Sequence, residues 1–173
     1  MKQLFAYDFD KTLIPYDSFR AYLLHLIGII PISICWLLIL RKLRIIDGCK
    51  LKKCVTLLVE SSDVLICDAK LFAEKIKQDI QLPREELCDA THLIITASPM
   101  VYMKYVVGNS KYQLLCSDTI NDKYVEMYGH TKAEYLQKYY PTTKYQYVYA
   151  ISDSETDMCW MKKFDHYEII QKI

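Results

Sequence analysis

The sequence predicts an α/β fold: a Rossmann-like parallel sheet core with helices on both faces and an inserted α-helical cap. Three observations lead there. First, short apolar runs that read as strands, at residues 4–7, 92–99 and 145–151, alternate with stretches of helical periodicity. Second, the stretch between the first two runs carries only helical patterns. Residues 15–85 therefore read as a cap inserted into a core made of 1–14 and 86–173. Third, the three strand ends carry polar clusters, Asp8/Asp10, Thr96/Ser98 and Asp153/Asp157. In a parallel sheet such ends share one edge, which is where open α/β sheets hold ligands.

A chain of 173 residues is enough for one domain with a full core and a small insertion. The net charge of +1 and a pI near 7.5 give no basis for binding nucleic acid or a strongly acidic partner. The seven cysteines (Cys35, Cys49, Cys54, Cys67, Cys88, Cys116, Cys159) are scattered and never spaced C-x-x-C. They read as reduced small hydrophobes of a cytoplasmic protein, not as disulfides or a zinc site. The chain opens directly in a strand pattern, so no signal peptide is expected. It has four glycines and no glycine-rich phosphate loop of the P-loop or dinucleotide type.

In order, Leu4 to Tyr7 read as a buried strand running into Asp8-Phe9-Asp10-Lys11-Thr12. Asp17 or Ser18 can cap a helix with Phe19, Tyr22, Leu23, Leu26 and Ile27 on one face. Gly28 to Pro31 interrupts it, and Pro31 suits the start of a second helix over 32–43. That helix is apolar nearly all round and ends in Arg41, Lys42 and Arg44. Leu51, Cys54, Val55, Leu58 and Val59 make a third helical stripe; Ala69, Phe72, Ala73, Ile76 and Ile80 make a fourth. Pro83 marks a break, and 82–87 lead back to the core. After the strand at 92–99, Pro99 opens a helix to about Val106, and 112–116 is a short strand. Gly129-His130-Thr131-Lys132 starts a helix with Thr131 near its cap, and 166–170 is a last strand. Tyr145, Tyr147 and Tyr149 read as packing residues. His25, His92, His130 and His166 share no spacing and carry no catalytic expectation.

The chemistry follows from the strand ends. On an extended chain residues two apart face the same way, so Asp8 and Asp10 converge just past the first strand. Close acids repel unless a cation sits between them, and Mg²⁺ suits oxygen ligands. Mg²⁺ is expected to be held by Asp8 and Asp153, with Asp157 behind them. Asp8 is the expected nucleophile toward phosphorus, and Asp10 the acid that protonates the leaving oxygen and then the base that takes a proton from water. Thr96 and Lys132 complete the catalytic set by holding phosphoryl oxygens as charge develops. Thr12, whose hydroxyl fixes the turn, and Ala97 are expected beside them as phosphate contacts. A receiver-type phosphoacceptor module also combines acids, a hydroxyl and a lysine around Mg²⁺, but needs no acids after the lysine. Here Asp153 and Asp157 come last.

This ordered set resembles the haloacid dehalogenase-like superfamily. Its motifs are matched by DFDKT (Asp8 to Thr12), ITASP (Ile95 to Pro99), GHTK (Gly129 to Lys132) and SDSETD (Ser152 to Asp157). The helical insertion looks like the cap of the phosphoserine phosphatase-like subgroup. TASP, GHTK, SDSETD and an apolar cap together resemble phosphatidylglycerophosphatases of the C type, which act on a lipid phosphate. The resemblance implies a Mg²⁺-dependent phosphatase acting through an aspartyl-phosphate, with the metal also touching the backbone carbonyl of Asp10. Two departures stand out. Ser152 replaces the glycine usual in the fourth motif, and the segment between Cys116 and Gly129 is short for the flap hairpin of relatives.

The substrate expectation, a small-molecule or a lipid phosphate, turns on residues 21–53. No Asp, Glu, Lys or Arg occurs between Ala21 and Leu40, a length that would suit a membrane span. The Gly28–Pro31 break instead predicts a hairpin with arms too short to cross the bilayer. Such a hairpin either dips into one leaflet, with Arg41, Lys42, Arg44, Lys50, Lys52 and Lys53 at anionic headgroups, or packs as a soluble apolar wall over the site. The expected setting is accordingly the cytoplasm, free or peripheral to the cytoplasmic membrane.

Overall fold

The computed structural model describes residues 1–81, 90–108 and 110–170. Pro83, Cys88 and the expected return at 82–87 lie outside the described residues. Strand β1 (Lys2–Tyr7) comes first. Helices α1 (Ser18–Ile27), α2 (Pro31–Lys42), α3 (Gly48–Glu60) and α4 (Asp63–Lys77) follow before β2 (Thr91–Pro99). Next are α5 (Met100–Val107), β3 (Tyr112–Ile120), β4 (Lys123–Val125), α6 (His130–Tyr139) and β5 (Tyr145–Ser152). A 3₁₀ turn (Glu155–Asp157), α7 (Met158–Met161) and β6 (His166–Ile169) complete the order.

The described strands form a six-stranded sheet in the order β4-β3-β2-β1-β5-β6. All neighbours are parallel except β4, which folds back on β3. β1 is central, and its alternation feeds two cores. Phe5 and Tyr7 pack with α1, α3, α4 and α5, while Leu4 and Ala6 pack with Leu136, Trp160 and Met161 from α6 and α7. Both faces are therefore covered, as a parallel sheet requires.

The tyrosines of β5 do not all stay on one face. Leu4 pairs with Tyr147 but Phe5 pairs with Tyr149, so Val148 is an extra residue in the ladder. That irregularity sends Tyr147 into one core and Tyr149 into the other. The short segment after Cys116 does form a hairpin. Asn121 and Asp122 turn it with φ of 50° and 62°, the left-handed conformations a tight hairpin turn demands. Pro99 sits one place earlier than expected, as the extended N-cap of α5. Helix α6 is capped by Gly129 at φ 51°, where a side chain would be strained, with no side-chain cap from Thr131.

Helix α1 is capped by Asp17, whose carboxylate accepts from the Arg20 N–H, and Pro31 opens α2. Helix α2 buries only Ile34. It packs against α1 and α3, with Leu37 and Leu38 partly buried against the core, and leaves Ile32, Trp36 and Ile39 exposed. No described helix is long and apolar enough to cross a membrane.

Candidate active site

The β1 ladder continues into the turn, because the Asp8 N–H donates to the Ile151 carbonyl at 2.9 Å. The chain then folds over itself: the N–H groups of Thr12, Leu13 and Ile14 all lie within hydrogen-bond reach of the Phe9 carbonyl. Lys11 takes φ 59°, an uncommon conformation for a residue with a side chain. This turn aims Asp8 and Asp10 into one cavity of about 390 Å³. Ala97, Lys132, Asp153 and Asp157 line the same cavity, so most of the expected set meets there.

Lys132 is the centre of the charge arrangement. It is almost fully buried, and its Nζ donates to Asp8 Oδ1 at 2.6 Å and to Asp157 Oδ2 at 2.7 Å. The ring of Trp160 lies 5.8 Å from the same ammonium. Burial pulls the Lys132 ammonium down, but the charges of Asp8 and Asp157 outweigh it and hold it above the usual lysine value. Asp157 also accepts from Ser152 Oγ at 2.7 Å, and Ser152 Oγ accepts from the Ser154 N–H at 3.1 Å. Ser152 thus anchors the last acid.

Asp8 is pushed up from 3.8 to about 7. Burial is the main cause, Asp157 and Asp10 add to it, and Lys132 works against it. Asp10 is also raised, again chiefly by burial, while hydrogen bonds from Ser18 and Ser98 oppose the rise. Its Oδ1 accepts from the Ser18 N–H at 2.6 Å and its Oδ2 from Ser98 Oγ at 2.5 Å.

Thr12 and Thr96 stand behind the cavity wall. The Thr12 hydroxyl donates to Asp8 Oδ2 at 3.2 Å, and the Thr96 hydroxyl lies 3.4 Å from Asp10 Oδ2 while accepting from the Ser98 N–H. Ser98, two residues on, reaches the lining instead. The strand-end cluster contained it, but the hydroxyl role had gone to Thr96 alone. Lys52, which the sequence places among the headgroup-facing lysines, belongs to this site instead. Its Nζ turns inward, to the Ala97 carbonyl at 2.9 Å and to Glu126 at 2.6 Å, with the Phe19 ring 5.8 Å away. Phe19, Glu126 and Tyr128 complete that side of the cavity. The histidines stay out of the lining; His25 pairs with Asp68 and His92 with Tyr7.

The lining offers hard oxygen donors and an excess of acid over base, which fits a divalent cation of the Mg²⁺ type. The fit is open rather than caged: among the described residues no three carboxylates are gathered as a ready ligand cluster. Asp8 and Asp10 each accept hydrogen bonds at both oxygens and Asp157 accepts two at Oδ2, so a cation here would share the Asp8 carboxylate with Lys132 and Thr12, with Asp153 beside it in the lining.

The fold is that of haloacid dehalogenase-type hydrolase structures. The chain superposes on a phosphoserine phosphatase captured as an analogue of its phospho-aspartyl intermediate, with TM-score 0.53, 14% identity, and 96% of this chain and 85% of that one covered. An apo phosphoserine phosphatase gives TM-score 0.51 at 13% identity, over 96% and 93% of the two chains. A structure described as a HAD family hydrolase, from Salmonella enterica serovar Typhi, gives 0.56 at 12%, over 94% of this chain and 60% of that one. A protein of unknown function from Bordetella pertussis Tohama I gives 0.64 at 15%, over 96% and 89%. No protein-family model and no curated protein matches the sequence.

Proposed function

We propose that the chain is a Mg²⁺-dependent phosphomonoester hydrolase working through an aspartyl-phosphate on Asp8. The observation that carries this reading is the Asp8–Lys132–Asp157 bridge at the floor of a cavity that Asp10 also lines. Asp8 attacks phosphorus as the bond to the leaving oxygen breaks, and Asp10 gives that oxygen its proton. Water then attacks the same phosphorus, Asp10 takes the proton back, and the Asp8 carboxylate is regenerated with release of phosphate. Burial suits Asp10 to this task, since it favours the protonated acid that the first step needs. Asp8, Asp153 and the Asp10 backbone carbonyl would hold Mg²⁺, with Asp157 behind them, and the ion would offset charge between carboxylate and phosphate. Lys132 offers its ammonium to the phosphoryl oxygens, and Ser98 and Ala97 border the same space. Thr12 and Thr96 act through the acids they touch.

The substrate is a small-molecule or lipid phosphomonoester that enters between Phe19, Lys52, Glu126 and Tyr128. A release assay across lipid phosphates, phosphoamino acids, sugar phosphates and nucleotides tests the reading. Turnover is expected with Mg²⁺, absent in EDTA and lost in Asp8→Asn. Robust turnover by purified Asp8→Asn would refute the covalent mechanism.

A further inference from the structure

The outer surface of α2 is built the wrong way round for a helix in water. At ~100° per residue, Ile32, Trp36, Ile39 and Leu43 fall within roughly a 60° sector. Ile34, the one buried residue of the helix, points away from that sector. The four are 86%, 60%, 46% and 63% exposed, and Ile45, just beyond the helix, is 60% exposed. Large apolar side chains gathered on one exposed face mark an interaction surface.

The charge around the strip selects its occupant. Arg41, Lys42 and Arg44 are exposed at its C-terminal end, and no Asp or Glu occurs between Asp17 and Asp47. Asp47 is already engaged, accepting from the Lys50 N–H to cap α3. A second copy presenting the same face carries no acid to meet the cluster, since none occurs between Asp17 and Asp47. An anionic bilayer offers hydrocarbon for the strip and negative headgroups for the cluster, and Trp36 suits the boundary between them. The helix has 12 residues, about 18 Å at 1.5 Å per residue, so it lies along a leaflet and does not cross it.

We infer that α2 docks the protein in-plane on an anionic membrane surface, through Ile32, Trp36, Ile39 and Leu43 with Lys42 and Arg44 at the headgroups. Helix α2 packs on α1 and α3, which supply Phe19 and Lys52 to the cavity. On the phosphomonoesterase reading, docking therefore holds the site one helix layer from the bilayer, where a lipid-borne phosphate would be met. The docking itself stands without that reading, because it is measured as binding and not as turnover.

The test uses vesicles of phosphatidylcholine alone and vesicles with about one-third phosphatidylglycerol. Co-sedimentation is read beside tryptophan emission, which suits this chain because its other tryptophan, Trp160, is fully buried. The wild type is expected to bind the anionic vesicles with a blue shift from Trp36, and to bind the neutral ones at least about tenfold more weakly. Ile32→Glu/Ile39→Glu, both on the exposed strip, is expected to lose binding and the blue shift by a similar factor while hydrolysing a soluble substrate at the wild-type rate. Lys42→Gln/Arg44→Gln is expected to lose the preference for anionic lipid. Failure of the wild type to bind, or equal binding by Ile32→Glu/Ile39→Glu, overturns the inference. So does a wild-type dimer in sedimentation velocity that this same variant dissolves, since the strip would then be covered by a second copy. Vesicle binding without turnover on any phosphate would instead refute the catalytic reading alone.

Discussion

Replacing Asp8 by asparagine is expected to stabilise the metal-free protein while it abolishes turnover. The carboxyl titrates near 3.8 when unfolded and at about 7 when folded. Because the folded value is the higher one, the native state holds the proton more tightly. Stability is then greatest below the unfolded value and falls as pH rises from about 4 through 7. Above that window the ionised, buried Asp8 costs on the order of 4 kcal/mol relative to an unperturbed acid. Asparagine removes that charge and keeps an acceptor for the Lys132 ammonium, whose attraction is already contained in the raised value of Asp8. A net gain on the order of 4 kcal/mol is therefore expected at about pH 8. Urea unfolding in EDTA measures it, and the gap should narrow at about pH 5, where wild-type Asp8 is already protonated. An Asp8→Asn protein no more stable than wild type at the higher pH, or a gap that ignores pH, would refute the reasoning.

Lys132→Met should have the opposite effect on stability, costing about 3–5 kcal/mol in urea unfolding because Asp8 and Asp157 are left buried without their cation. Its turnover should fall by roughly 10²–10³, and Lys132→Arg should not restore it, since a planar fork does not replace a point charge held between two acids. Asp10→Asn and Asp153→Asn should fail differently in steady-state kinetics. The first should spare substrates with good leaving groups, and the second should be partly rescued by raised Mg²⁺. Ser98→Ala removes a hydrogen bond that holds Asp10 down, so the acidic group in the kcat/KM pH profile should move upward with a loss of about tenfold in rate.

The pairing of Asp8 with Asp10 was legible because two-residue spacing on a strand end has a geometric meaning. Lys132, Asp153 and Asp157 were legible only as a set, since parallel strands must deliver their C-terminal ends to one edge. The contact between Lys52 and Glu126 was not legible: 74 residues separate them, and neither stands in a pattern. The place of Ser98 was ambiguous for a different reason. Thr96 and Ser98 share a strand face, so alternation alone does not decide which hydroxyl meets the cavity. The crossing of Tyr149 to the opposite face depends on one extra residue at Val148, which strict alternation does not anticipate. For α2, hydropathy revealed an all-round apolar helix but not which side would be covered. That depends on how few positions α1 and α3 can reach, and Ile34 alone is buried.

The resting site explains why its lysine had to be buried. One ammonium joins the acid after β1 to the acid after β5, and the Ser152 hydroxyl meets the same Asp157 oxygen from below. Were Lys132 on the surface, solvent would screen it and the two carboxylates would push the strand ends apart. Buried, it holds them within reach of one ligand, and on the mechanism we propose it also competes for the carboxylate with which Asp8 would attack. On that reading a phosphoryl group entering the cavity would relieve the competition by offering Lys132 other oxygens. Holding the nucleophile in place and releasing it to react are thus two states of a single hydrogen-bonded pair. The second is favoured only when an anion is present to take the lysine, so the geometry that stabilises the empty site also makes the nucleophile's freedom depend on substrate.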